Sequence, residues 1–446
     1  MNTPICDFVR SYAEQNALRL HMPGHKGRGV LEVEQWDITE ISGADSLYEA
    51  CGIIRESEQN ASELFGSETF YSTEGSSLCI RAMIYLALRH GRQTGKGNYV
   101  VAGRNAHKTF MSAAALLNLD IRWLYGQEDD SYLACRIEAD DLDRMLSEAE
   151  EAPCAVYLTS PDYLGNVADI PAISAVCRRW GVPLLVDCAH GAYLKFLPES
   201  RHPIDLGADM CCASAHKTLP VLTGGAYLHI AHDAPCEFAR QAKNALALFG
   251  STSPSYLIMQ SLDAANQYLA DGYPSKLETF TQQVCCVRDK LAKHGFELHG
   301  DEPLKLTIAT KAYGYKGSEF SDLLMAKGVV SEFADPDFVV FMLTPEIGPE
   351  GLEQLVDGLV SIPRRAALTE ASPAPQPGQR VFGITEAMLM PSEILPVELC
   401  EGRVLAAASV GCPPAVPIVV CGEQIDAHAI RCFEYYGIRE LCVISE

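Results

Sequence analysis

In the stretch CCASAHKTLPVLTGGAYLH, residues 211–229, Lys217 stands between a histidine and a threonine, with a glycine pair behind it. A lysine under the end of an apolar strand is desolvated. Its pKa falls and its amine is freed to attack a carbonyl. Asp187 closes the apolar run VPLLVD and precedes Lys217 by 30 residues (217 − 187). A buried carboxylate costs roughly several kcal/mol to desolvate unless it is paired. Two uses fit it: a turn capped by its own next amides, or a partner for a cationic ring nitrogen. Pyridoxal 5'-phosphate (PLP) needs both an amine at its aldehyde and a carboxylate at its ring nitrogen.

Such a cofactor also needs a phosphate cradle. In STEGSSLCIRAMI, Gly75 turns the chain and Ser76 and Ser77 open a helix. Helix N-terminal amides with hydroxyls form an anion site, and an ordinary serine cap has the same pattern. Ser214 and His216 flank the lysine. In RNAHKTF, His107 follows a strand and precedes a helix, where a flat imidazole can stack on a ring or simply satisfy a loop. No His, Cys, Asp or Glu spacing suits a metal. There is no H-E-x-x-H, P-loop, dinucleotide glycine fingerprint or G-x-S-x-G.

The elements that must position these residues alternate. GNYVVAG, CAVYLTS, VPLLVDCAHG, DMCCASAHK and GGAYLHI read as strands. SSLCIRAMIYLALRH, HKTFMSAAALLNL and IPAISAVCRRWG carry helical periodicity. Alternation of this kind predicts an α/β fold with a mostly parallel sheet covered on both faces, its ligand beyond the strands' carboxyl ends. The expected division is an arm over 1–50, a major domain over 51–275 and a smaller α/β domain over 276–369. A proline-rich linker, EASPAPQPGQ, follows over 370–379, then a C-terminal module over 380–446.

At 446 residues and net charge −23, the chain can bury a large core, and its surface repels nucleic acid and anionic membrane. A cationic substrate suits it. The 17 cysteines include two adjacent pairs but no C-x-x-C, and no stretch reads as a signal peptide or membrane span. A reducing cytoplasm fits best.

The chain resembles the fold-type I, PLP-dependent Orn/Lys/Arg decarboxylase family in its shorter bacterial form. LHMPGHKG, DITEISGADSLYEACGII, RNAHKT, TSPDYLGNVADI, VDCAHGAYLKF, SAHKTLPVLT, STSPSYLIMQSLD and GCPPAVPIVVCGE follow in the family's order. The resemblance implies an aspartate aminotransferase-like fold with a seven-stranded sheet. It implies that Lys217 binds PLP, Asp187 pairs with the ring nitrogen and His107 stacks on the ring. Ser76, Ser77, Ser214 and His216 would hold the phosphate or orient the lysine, and His190 would line the pocket. It further implies a homodimer or higher homo-oligomer with the site at the subunit interface, in which Ser251, Thr252 and Ser253 reach the partner's phosphate, with Glu332 near the substrate. The reaction would be α-decarboxylation of arginine, lysine or ornithine to a polyamine-pathway amine and CO2. Asp45, Asp162 and Glu332 are candidates for the substrate's distal cation.

The chain also departs from the family. Gly224 stands where the family usually has glutamine, Cys188 where it has an acid, and Cys412 to Ala415 where it has Tyr-Pro-Pro-Gly. Glu74 lies beside the phosphate turn. Two other readings stay open. One is an aminotransferase, aldolase or lyase, with Arg364 or Arg365 clamping the α-carboxylate. The other is a PLP-binding homologue without catalysis.

Overall fold

The computed structural model describes residues 1–126, 131–408 and 415–446. The chain divides into two compact units, Met1–His90 with Pro183–Glu278, and Gly91–Val182 with Thr279–Glu446. The strands β1 (Glu68–Ser72), β2 (Gly97–Gly103), β3 (Asp120–Leu124), β4 (Pro153–Thr159), β5 (Leu184–Asp187), β6 (Met210–Ala213) and β7 (Ala226–Ile230) make one seven-stranded sheet. The first unit supplies the order β1-β7-β6-β5. Here β5 and β6 run parallel, and β7 is antiparallel to β6 and to β1. The second supplies β4-β2-β3, all parallel. Strands β4, β5, β6 and β7 are buried almost throughout, as a sheet covered on both faces requires.

The expected mostly parallel α/β sheet is therefore present. Two of its strands escape the residue pattern. ETFYS and DIRWL, which form β1 and β3, are the sheet's two edges. Edge strands are short and half-solvated, so they lack the apolar run that marks the inner strands. Lys217 also differs in detail. Strand β6 stops at Ala213, and the lysine sits on the helical turn after it.

The helices are α1 (Pro4–Glu14), α2 (Ile53–Phe65), α3 (Gly75–Thr94), α4 (Lys108–Leu116), α5 (Ala139–Ser147), α6 (Ile170–Trp180), α7 (Ala215–Thr218), α8 (Cys236–Phe249), α9 (Tyr256–Ala270) and α10 (Tyr273–His294). In the first unit, Asp263 of α9 docks the arm. Its Oδ2 accepts the amides of Ile5 and Cys6, both at 2.9 Å, and its Oδ1 accepts the Ser57 hydroxyl. A carboxylate at the start of α1 satisfies amides that have no partner within the helix.

The second unit also holds a four-stranded sheet, β8 (Glu297–His299), β9 (Lys305–Ala309), β10 (Phe333–Ala334) and β11 (Phe338–Met342), in the order β10-β11-β9-β8. The tail builds its own core from Val397, Leu405, Ile425, Phe433 and Val443, joined by Tyr132. It is tied down by buried Arg104, which follows β2 and donates to the carbonyls of Pro417 (2.7 Å) and Ile418 (2.8 Å). Ala415 accepts the amide of Lys108 at 2.9 Å. Cys412, Pro413 and Pro414 lie outside the described residues.

A polar knot joins linker, tail and small sheet. Asp337 Oδ1 accepts Lys311 Nζ, the Ser372 hydroxyl and the Tyr435 hydroxyl, each at 2.6 Å. Lys311 also reaches the Glu370 carbonyl and the Tyr435 hydroxyl. Two residues before Asp337, Asp335 is 3% exposed. Burial pushes its carboxyl up to about 7, against the amides of Phe338 and Asp337 and with help from the Asp337 charge, while Lys311 pulls down. The folded chain thus holds a proton that the unfolded chain releases near the ordinary carboxylate range. Stability from this site is full below pH ~4 and is lost as pH rises through 7, on the order of a few kcal/mol. Asp335→Asn keeps the acceptor and removes the titration. Thermal midpoints measured from pH 5 to 8 should fall less steeply in this variant than in the native chain, and parallel curves would refute the assignment.

Candidate active site

Asp187 is the last residue of β5 and is 3% exposed. Its Oδ1 accepts the amide of Ala189 at 3.1 Å and the Cys212 thiol at 3.5 Å. The chain then turns back, Gly191 donating to the Cys188 carbonyl at 2.9 Å. That turn brings buried His190 to Lys217, with Nε2 3.0 Å from Nζ. The lysine is held from its own side by α7, where its amide donates to the Ser214 carbonyl at 3.0 Å. The two halves of the sequence motif therefore meet through an imidazole.

Ser214 is 1% exposed and donates to the Ser76 hydroxyl at 2.9 Å. Ser76 and Ser77 lie in the first turn of α3, whose amides have no acceptor within the helix. Gly75 opens that helix with φ +69°, and its amide donates to the Gly224 carbonyl at 2.7 Å. His216 donates from Nδ1 to the Gly225 carbonyl at 2.9 Å. A Cβ at position 75 would lie 3.9 Å from His216 Cε1, so the ring edge sits beside the helix start. Two hydroxyls, helix-terminal amides and an imidazole edge suit a phosphate. A buried carboxylate suits a ring nitrogen, and an amine suits an aldehyde. The residues present fit PLP.

One neighbour escaped the sequence reading, and another named there proves to face elsewhere. The Thr218 hydroxyl, next to Lys217, is buried without a partner. Glu74 turns its Oε1 to the Ser251 amide at 2.6 Å, so this acid is spent on the loop carrying Ser251, Thr252 and Ser253. All three of those residues are exposed on this chain.

Two of the proposed substrate carboxylates are committed elsewhere. Asp45 accepts the amides of Ser46 and Cys51 at 3.0 Å and of Gly52 at 2.7 Å. Burial works to raise its carboxyl, but these amides outweigh it and hold the group below its ordinary range. In the second unit, Asp162 accepts the amides of Leu164 and Asn166 at 2.9 Å and the Asn166 side chain at 2.8 Å. Both acids shape loops. A turn signal was present in each case: a glycine follows Asp162 by three residues and Asp45 by seven. Glu332 is exposed and borders a cavity lined by Val330, Phe341, Leu343 and Ile347.

Also in the second unit, His107 caps α4, its Nδ1 accepting the Thr109 amide at 3.0 Å. The tail carbonyl of Ala415 holds the next residue, Lys108, so the C-terminal block braces the turn that presents this ring. Arg365 pairs with Glu319 at 2.7 Å and covers the Tyr315 ring, and Arg364 lies over Tyr313. Among the described residues, no group of three or more His, Cys, Asp or Glu could hold a metal, and no helix is long and apolar enough to cross a membrane.

Fold and site define an α/β enzyme of the fold-type I, PLP-dependent class. The structure superposes on lysine decarboxylase A from Pseudomonas aeruginosa with a TM-score of 0.82 at 17% identity, covering 99% of this chain and 80% of that one. The model of the Orn/Lys/Arg decarboxylase major domain matches residues 3–298. The chain belongs to the Orn/Lys/Arg decarboxylase family. It is 28% identical to the uncharacterised protein YaaO of Bacillus subtilis, over 97% of this chain and 93% of that protein. It is 26% identical to the arginine decarboxylase of the same organism, over 95% and 91%.

Gly224 departs from the family for a local reason. Its φ is +100°, and a Cβ there would lie 2.8 Å from the Thr73 carbonyl oxygen. Gly224→Gln should cost about 1–3 kcal/mol, because it strains the backbone and weakens the hydrogen bond by which the Gly224 carbonyl holds the Gly75 amide. A lower thermal midpoint with weaker PLP retention is the expected result. An unchanged midpoint would show that the loop accepts the family's glutamine freely.

Proposed function

We propose that the chain removes the α-carboxylate of a basic amino acid (arginine, lysine or ornithine) as CO2 and adds a proton at Cα, releasing the polyamine-pathway amine. The observation that carries this is Lys217 Nζ 3.0 Å from His190 Nε2, beside the turn that follows Asp187, in a chain of the decarboxylase family. The arginine decarboxylases among its relatives span nearly the whole chain, which puts arginine first among the three substrates.

PLP, bound to Lys217, would supply a protonated conjugated ring that accepts the electron pair left as CO2 departs. Asp187 would keep the proton on the ring nitrogen. Ser76, Ser77, Ser214 and His216 would hold the phosphate, and the family resemblance assigns His107 to the ring. His190 orients the Lys217 amine and passes it a proton. Lys217 Nζ delivers a proton to Cα once the carboxylate has left. The buried groups around that amine, Asp187, His190 and Ser214, favour loss of the carboxylate as neutral CO2. Ser251, Thr252 and Ser253 of one subunit serve the partner's phosphate in a homodimer. The cytoplasm is the proposed location. Neither nucleic acid nor membrane is a proposed partner.

The test is CO2 release from arginine, lysine and ornithine by the purified protein with PLP. One of the three should turn over. Lys217→Ala should abolish both turnover and the visible absorbance of bound cofactor. His190→Phe should keep the absorbance and lower kcat about 100-fold. Silence on all three substrates with PLP bound, or turnover that survives Lys217→Ala, would overturn the proposal.

A further inference from the structure

Strands β5 and β6 run parallel, with Asp187 paired against Cys212. The two side chains emerge on the same face, and the thiol sulfur lies 3.5 Å from Asp187 Oδ1. Cys212 is fully buried. Burial first, and the Asp187 charge second, push its thiol well above the ordinary range. It is therefore a hydrogen-bond donor at neutral pH and not a thiolate. The Ala189 amide donates to the same oxygen at 3.1 Å. Cys211, one residue earlier and equally buried, points to the opposite face, its sulfur 3.8 Å from His202 Nε2.

A ring nitrogen and a carboxylate that share one proton in a dry site have two states. Either the ring carries the proton and the acid is ionised, or both are neutral. Low dielectric favours the neutral pair, and donors aimed at the carboxylate favour the ionised one. A backbone amide alone supplies one such donor. The thiol adds a second that costs no charge and brings no water.

We propose that Cys212 is a positioning residue whose S–H holds Asp187 ionised and so keeps the shared proton on the ring nitrogen. This rests on the PLP reading above. Cys212→Ala removes the donor, and Cys212→Ser replaces it with a stronger one. Cys211→Ala removes an equally buried thiol that does not face the acid.

The test is nitrogen NMR of protein loaded with PLP labelled at the ring nitrogen. In C212A the signal should move toward the unprotonated position, and in C212S toward the protonated one. In C211A it should stay at the native position even where the variant is less stable. kcat should fall about fivefold in C212A and recover in C212S. An unmoved signal in both Cys212 variants, or the same movement in C211A, would overturn the proposal and leave PLP binding standing. If C212A fails to fold, C212S against C211A decides by the same signs. A native protein that binds no label would overturn the cofactor reading itself, and this inference with it.

Discussion

Asp187 is a carboxylate at the end of β5, 3% exposed, where burying such a group is costly unless hydrogen-bond donors meet it. Its neighbours supply them. The turn after the strand supplies an amide at Ala189, and the neighbouring strand supplies a thiol. The same turn carries His190 on to Lys217. One four-residue step, from Asp187 to His190, thus links the carboxylate to the amine. The thirty residues between them hold one connection, 188–209, and β6, which runs parallel beside β5.

A second constraint is steric. The amide of Gly75 meets the carbonyl of Gly224 at 2.7 Å, and both residues have positive φ. This backbone contact joins the start of α3 to the loop behind the lysine. It leaves no room for a side chain at 224 and brings the His216 ring edge beside 75. The departure from the family at 224 is thus matched to a local backbone shape. Glu74 fits the same pattern: it ties down the 251–253 loop.

The inner strands were legible because burial on both faces writes a continuous apolar run. The edges β1 and β3 were not, because half-solvated strands do not. The lysine, the aspartate and the serine pair were legible as residue types at suggestive spacings. What was not legible is where hydrogen bonds are spent. Asp45 and Asp162 look like free acids in a linear text, yet backbone amides a few residues on consume them. Cys212 looks like one of many buried cysteines. Only the register of β5 against β6 shows which of the adjacent pair faces the acid. Local capture by amides and cross-strand register both depend on backbone geometry, which side-chain identity alone does not carry.

The central claim is that one lysine carries the cofactor. Reducing the PLP-loaded protein with borohydride fixes the cofactor to its lysine irreversibly, and peptide mass mapping then locates it. The account predicts a single phosphopyridoxyl mass on the peptide bearing Lys217 and none on Lys195 or Lys243, two other partly buried lysines of the first unit, which are engaged with Asp205 and Glu58. A label on any other lysine, or no label in a protein that still releases CO2, would contradict it.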